Sequence, residues 1–140
     1  MIFNRSVYLI IFRRFAVIHH TNILAFFTSS VLINLGESMK KLIDKQKYQE
    51  ALDLFNHNST SISDVAISLA LKACRKLKNL EYGRNIHQQL SPEKINNSLI
   101  NTSLIHLYMT CGDEDNACRI FCETKNKTPS AYGVMFKGNY

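Results

Sequence analysis

From Met39 onward the apolar positions of this chain fall into short stripes that return at a nearly constant interval. Residues 48–55 (YQEALDLF), 80–87 (LEYGRNIH) and 114–121 (EDNACRIF) superimpose residue for residue. A small residue stands fourth in each: Ala51, Gly83 and Ala117. An aliphatic stands seventh (Leu54, Ile86, Ile120) and a larger ring-bearing residue eighth (Phe55, His87, Phe121). The offsets are 32 and 34 residues. Another apolar segment precedes each of these, at 39–43, 69–74 and 104–108, and a fourth begins at 132–136. Aligning Met39, Leu71, Ile105 and Phe136 gives offsets of 32, 34 and 31. Two independent landmarks drift together, so the interval belongs to a repeated unit and not to chance similarity.

Within the second segment of each unit the apolar residues recur at i, i+3 and i+7, a stripe along one face of a 3.6-residue helix. The small residue in that stripe admits a close partner helix. Polar breakers at 45–47, 76–79 and 111–113 fall where two helices must be joined. Asn79 and Asp113 are suited to cap the helices that follow them, and Gly112 to close the one before. Pro92 lies beyond the second helix of the middle unit, as a stop. No strand-like alternation competes. The fold class is therefore all-α: helix–turn–helix repeats stacked as a short α–α superhelix, or solenoid.

The first thirty-odd residues do not share the pattern. Glu37 is the first acidic residue, and Arg5, Arg13 and Arg14 stand among Val7, Leu9, Ile10, Ile11, Phe12 and Phe15. Arginine-bearing, acid-free and apolar, residues 1–31 read as a targeting presequence for mitochondria, drawn in by an inside-negative potential. The alternative is a membrane anchor or secretory signal. Against it, His19, His20, Thr21 and Asn22 interrupt the apolar run. Asn-x-Ser/Thr acceptors at Asn58, Asn96, Asn101 and Asn126 would serve a secreted chain, but asparagine is so frequent here that chance acceptors are expected.

Charge and chemistry narrow the function. Seventeen lysines and arginines against eleven acids give a net charge of +6, which suits a polyanionic partner without requiring one. Cys74, Cys111, Cys118 and Cys122 form no C-x-x-C and no zinc-finger spacing, and they read as buried, reduced thiols of a helical core. His87 and His106 occupy repeat positions and read as packing residues. No histidine is followed two residues later by glutamate, and no phosphate loop or nucleophile elbow is present. The sequence offers no catalytic centre, no metal site and no cofactor motif.

At this point the residues carry a resemblance. The stretch SLALKACRKLKNLEYGRNIHQQL (68–90) resembles the long-type pentatricopeptide repeat motif, in which L-K-A-C precedes L-x-x-G-x-x-I-H. The stretch NTSLIHLYMTCGDEDNACRIFCET (101–124) resembles the short-type motif, N-x-L-I-x-x-Y-x-x-C-G-D followed by A-x-x-x-F. The alignment gives a degenerate first unit at 32–63, a second at 64–97, a third at 98–128, and from Pro129 the opening of a fourth cut short at Tyr140. That ending reads as a fragment of a longer protein.

The resemblance implies an organellar protein that binds single-stranded RNA and acts in transcript processing, stability or editing, with protein partners as further ligands and no small-molecule substrate. It also implies that one unit reads one base through its fifth and last residues. Carried over, these are Ser68 and Asn97 for the second unit, Thr102 and Thr128 for the third, Gly36 and Ser63 for the first, and Gly133 for the fourth. Serine with asparagine resembles the family's adenine-preferring pair. Threonine with threonine leaves the base open, and glycine departs from the pattern. Lys72, Arg75 and Lys76 are candidates for phosphate contact. The rival expectation is a tetratricopeptide-like scaffold that grips a peptide, disfavoured by the absence of Trp and the place of Pro92.

Overall fold

A computed structural model of the chain describes residues 35–58 and 62–137. The presequence expected over 1–31 and the first residues of the unit expected from Leu32 lie outside them. Every regular element among the described residues is a helix. In chain order these are α1 (35–44), α2 (Tyr48–His57), α3 (Asp64–Leu77), α4 (Leu80–Gln89), α5 (Pro92–Ile95), α6 (Ser98–Thr110), α7 (Glu114–Glu123) and α8 (Pro129–Lys137). The helices α1–α2, α3–α4 and α6–α7 form antiparallel pairs joined by tight turns.

The three turns are closed by one device. The amides of Gln46 and Lys47 bond back to the Ile43 and Leu42 carbonyls, those of Lys78 and Asn79 to Arg75 and Cys74, and those of Gly112 and Asp113 to Met109 and Tyr108. This is the paired backbone closure of a helix C-terminus around one left-handed residue. That residue is Gln46 at φ 60°, Lys78 at φ 53° and Gly112 at φ 80°. The three stand 32 and 34 residues apart, the interval of the apolar stripes. Only Gly112 adopts the conformation without a Cβ penalty.

Helix starts repeat as well. The Ser63 hydroxyl accepts from the Ala66 amide at 3.2 Å, Asn97 Oδ1 from Leu99 at 2.9 Å, and the Thr128 hydroxyl from Ala131 at 3.1 Å. These cap α3, α6 and α8. The Asn79 and Asp113 side chains cap α4 and α7 through the Tyr82 and Asn116 amides. Each such cap contributes about 1 kcal/mol.

Packing follows the stripes. Helix α3 lies against α2, α4 and α6, and α6 lies in turn against α4, α5, α7 and α8. The aligned residues Met39, Leu71 and Ile105 are wholly buried, as are Ala51, Ala66, Ala70, Ile100, Leu104 and Ala117. Burying one such aliphatic side chain contributes roughly 1.5–3 kcal/mol. Gly83 of α4 meets Leu107 of α6 so closely that a Cβ at position 83 would overlap Leu107 Cδ2. The small residue noted in the sequence is thus a point of helix contact.

Three expectations need correction. Of the cysteines only Cys74 is buried; Cys111 is half-buried, and Cys118 and Cys122 are exposed. Helix α7 buries Ala117 and Ile120, which turns positions 118 and 122 outward. A spacing of four places two residues on one helix face but does not say which face. Burial pushes the Cys74 thiol up to about 12, as befits an inert core residue. Second, Pro92 does not merely follow a helix end: it opens α5, a one-turn helix capped by Ser91. Third, Asn101 is almost fully buried, its amide donating to the Ile95 carbonyl at 3.4 Å, so it is no glycan acceptor in the folded chain.

Two stability measurements follow. Lys78→Gly should raise the urea midpoint by the equivalent of about 1 kcal/mol, because the left-handed Cβ penalty disappears. Gly83→Ala should lower it by about 1 kcal/mol, since overpacking against buried Leu107 outweighs the helix propensity that alanine adds. In a Leu107→Ala background the same Gly83→Ala change should become stabilising; an unchanged sign would refute the close contact.

Candidate nucleic-acid interface

Helix α3 carries Ser68, Lys72 and Arg75 at i, i+4 and i+7, one polar face opposite its buried stripe. Helix α6 presents Ser98, Leu99, Thr102, Ser103 and His106 toward the same side. With Thr128 and Ser130 at the start of α8 these line one open groove of about 480 Å³. From His106 and Ser130 the surface continues into a second depression of about 460 Å³ between α6 and α8, bounded by Met109, Thr110, Gly133, Val134 and Lys137. Among the described residues, no carboxylate lines either depression.

The repeat interval organises this surface. Ser68, Thr102 and Gly133 stand 34 and 31 residues apart, and so do Lys72, His106 and Lys137. Lys40, exposed on α1, precedes Lys72 by 32 and holds the equivalent place in the pattern. A row of small residues thus runs across the units beside a row of basic ones. Lys72 and His106 were expected in unrelated roles, one as a phosphate contact and the other as packing. The structure puts both in the groove, and only His87 packs as foreseen.

Hydroxyls pair across the units. Ser68 and Ser103 are bonded at 2.7 Å, and Thr102 and Thr128 at 2.9 Å. Ser103 also donates to the Leu99 carbonyl at 2.9 Å, and Thr102 to the Ser98 carbonyl at 2.7 Å. His106 Nε2 lies 3.1 Å from the Ser130 hydroxyl. Burial, and secondarily the neighbouring Arg75, holds His106 below its ordinary 6.5. It is a neutral imidazole at pH 7.5.

The remaining candidates are placed differently. Asn97 is committed inward: its amide donates to Asp64 Oδ2 at 2.8 Å while its oxygen caps α6. Lys94 donates to the other Asp64 oxygen, so the start and end of residues 64–97 are tied together. Lys76 is exposed on α3 outside the groove lining. Ser63 caps α3, and Gly36 faces Val65, whose Cγ1 would lie 3.7 Å from an added Cβ. Ser103 and Ser130 were not singled out from the sequence, and His106 was read there as a packing residue. His106 was legible there, since it stands one repeat interval beyond Lys72.

The opposite side of the hairpins has another character. His87 Nδ1 and the Tyr108 hydroxyl are hydrogen-bonded at 2.8 Å with their rings edge to face. Arg84 pairs with Asp113 and holds its carboxyl below the usual carboxylate range. These groups join α4 to α6 and α7 and serve the stack. Among the described residues, no three His, Cys, Asp or Glu side chains come together as metal ligands, and no helix is long and apolar enough to cross a membrane.

No protein-family model matches the chain. Curated relatives do. A pentatricopeptide repeat-containing protein of Arabidopsis thaliana is 35% identical over 100 residues, covering 68% of this chain and 11% of that protein. A second from the same plant, named as mitochondrial, is 33% identical over 86 residues, covering 61% of this chain and 12% of its own length. A third, named as chloroplastic, is 24% identical over 88 residues, or 62% of this chain and 13% of its own. The chain thus spans about an eighth of the length of these relatives. Similarity of this extent, on a chain whose turns, caps and buried stripes recur at the same interval, identifies it: the chain belongs to the pentatricopeptide repeat family.

Proposed function

We propose that the chain binds single-stranded RNA along the face shared by α3, α6 and α8, one base to a unit, and that it lacks a catalytic centre of its own. The units on this reading are 32–63, 64–97, 98–128 and 129 onward. Ser68, Thr102 and Thr128 address base edges, with Asn97 holding the start of the third unit in place. Lys72 and Arg75 meet phosphates, joined by His106 and Lys137, while Lys76 adds charge at the margin. The setting is an organelle, mitochondria by the arginine-bearing start of the chain, and the role is transcript processing, stability or editing.

The observation that carries this reading is the double row on one groove: small residues at one repeat position, hydroxyl-bearing in the second and third units, basic residues four positions later, and among the described residues no carboxylate in the lining. Bases and phosphates alternate along a single strand in the same way. A peptide-gripping scaffold has no need of a lysine or histidine at every interval.

Binding of a labelled, unstructured RNA, followed by fluorescence anisotropy against salt, tests it. Affinity should fall steeply as salt rises, and Lys72→Ala and Lys137→Ala should each reduce the slope of log K against log salt by about 0.7. His106 adds a pH dependence with a definite sign. Its free-state value lies below 6.5, a bound phosphate raises it, and the complex therefore takes up a proton. Affinity should increase as pH falls through the raised value of the complex, level off beneath the depressed free-state value, and lose this dependence in His106→Gln. Salt-insensitive binding, or displacement of bound RNA by an extended peptide alone, would move the chain to the protein-binding alternative.

A further inference from the structure

We propose that the Thr102–Thr128 pair selects guanine, because both hydroxyl protons are committed to the protein and two adjacent acceptors are left facing the groove. The inference rests on the RNA-binding reading and adds the identity of one base. It follows from counting protons. A hydroxyl has one proton to give and two lone pairs. Thr102 gives its proton to the Ser98 carbonyl, which can only accept. The bond between the two threonines is therefore made by Thr128 donating to Thr102. Thr128 in turn accepts from the Ala131 amide. Each oxygen is left with one free lone pair and no proton, and the two oxygens lie 2.9 Å apart at the groove surface.

Guanine is the one base whose Watson–Crick edge carries two neighbouring donors, N1–H and N2–H₂. Adenine and cytosine set one donor beside a ring-nitrogen acceptor, and uracil sets one donor between two carbonyls. Against a pair of acceptors these three bring a lone pair where guanine brings a proton. The neighbouring pair meets the same count: Ser103 gives its proton to the Leu99 carbonyl, so Ser68 must donate to Ser103, and two acceptor oxygens without a free proton remain there as well. Asn97 adds nothing to that pair, because both its side-chain groups are engaged with Asp64 and the α6 amides.

The test uses the full chain and a short oligouridylate with one variable central base, at low salt. Guanine should bind tighter than adenine, cytosine or uracil. Inosine, which lacks N2–H₂, and 2-aminopurine, which lacks N1–H, should each lose roughly fivefold, the effect of one hydrogen bond. Ser68→Ala, which breaks the other hydroxyl pair, should keep the guanine preference, and adding Thr102→Val, nearly isosteric and away from any cap, should weaken it while circular dichroism stays unchanged. The proposal is overturned if inosine binds as well as guanine, if another base binds better, or if the double variant keeps the full preference. Failure to bind any of these oligonucleotides would instead overturn the RNA-binding reading itself, and the two results are distinct.

Discussion

The structure depends on the burial of α3 against α6. Neither of the hairpins to which these helices belong can cover its own apolar side, because each first helix is apolar toward its hairpin partner and toward the next unit as well. Ala66, Ala70, Leu71 and Cys74 on α3 and Ile100, Leu104, Ile105 and Tyr108 on α6 are all buried, and they occupy equivalent places one interval apart. The same face that makes one unit unstable alone makes it adhesive to its neighbours. Stability in such an array grows with the number of contacts between units, so single-unit energetics matter less than the interfaces.

That constraint also accounts for the groove. A first helix buried toward its hairpin partner and toward its neighbouring units keeps only a strip on the groove side. On α3 that strip is Ser68, Lys72 and Arg75, and on α6 it is Thr102, Ser103 and His106. The helices are held side by side by the core, so the strips are held side by side too. The hydroxyl pairs across units exist because the core sets the distance between them. Binding residues thus inherit their spacing from packing.

How much of this was readable in the residues can be judged one position at a time. The apolar stripes, the Asn79 and Asp113 caps and the turn at Gly112 were readable because each is a local signal. The breakers at 45–47 and 76–79 marked the equivalent turns too, but not their left-handed residues, since neither Gln46 nor Lys78 announces such a backbone; the interval alone marks them. Cys118 and Cys122 misled because spacing fixes a face without its direction. Helix α5 was missed because a one-turn helix has no periodicity. The bonds Ser68–Ser103 and Thr102–Thr128 join different units, and nothing local encodes the distance across a helix interface. His106, read as a packing residue, was the avoidable misassignment. Had polar residues been aligned by the same interval as apolar ones, it would have fallen beneath Lys72.

Helix α5 has one more implication. The segment between α4 and α6 is longer than the one between α7 and α8, and this accounts for a unit of 34 residues beside one of 31. The surplus residues sit wholly in that outer connection, which Asn101 and the Asp64–Lys94–Asn97 cluster pin in place. Insertions there leave the phase of the ligand-facing strips untouched. Length change is tolerated at the joint and forbidden within the hairpin, so a family built this way can diverge in size while keeping its stride along a strand.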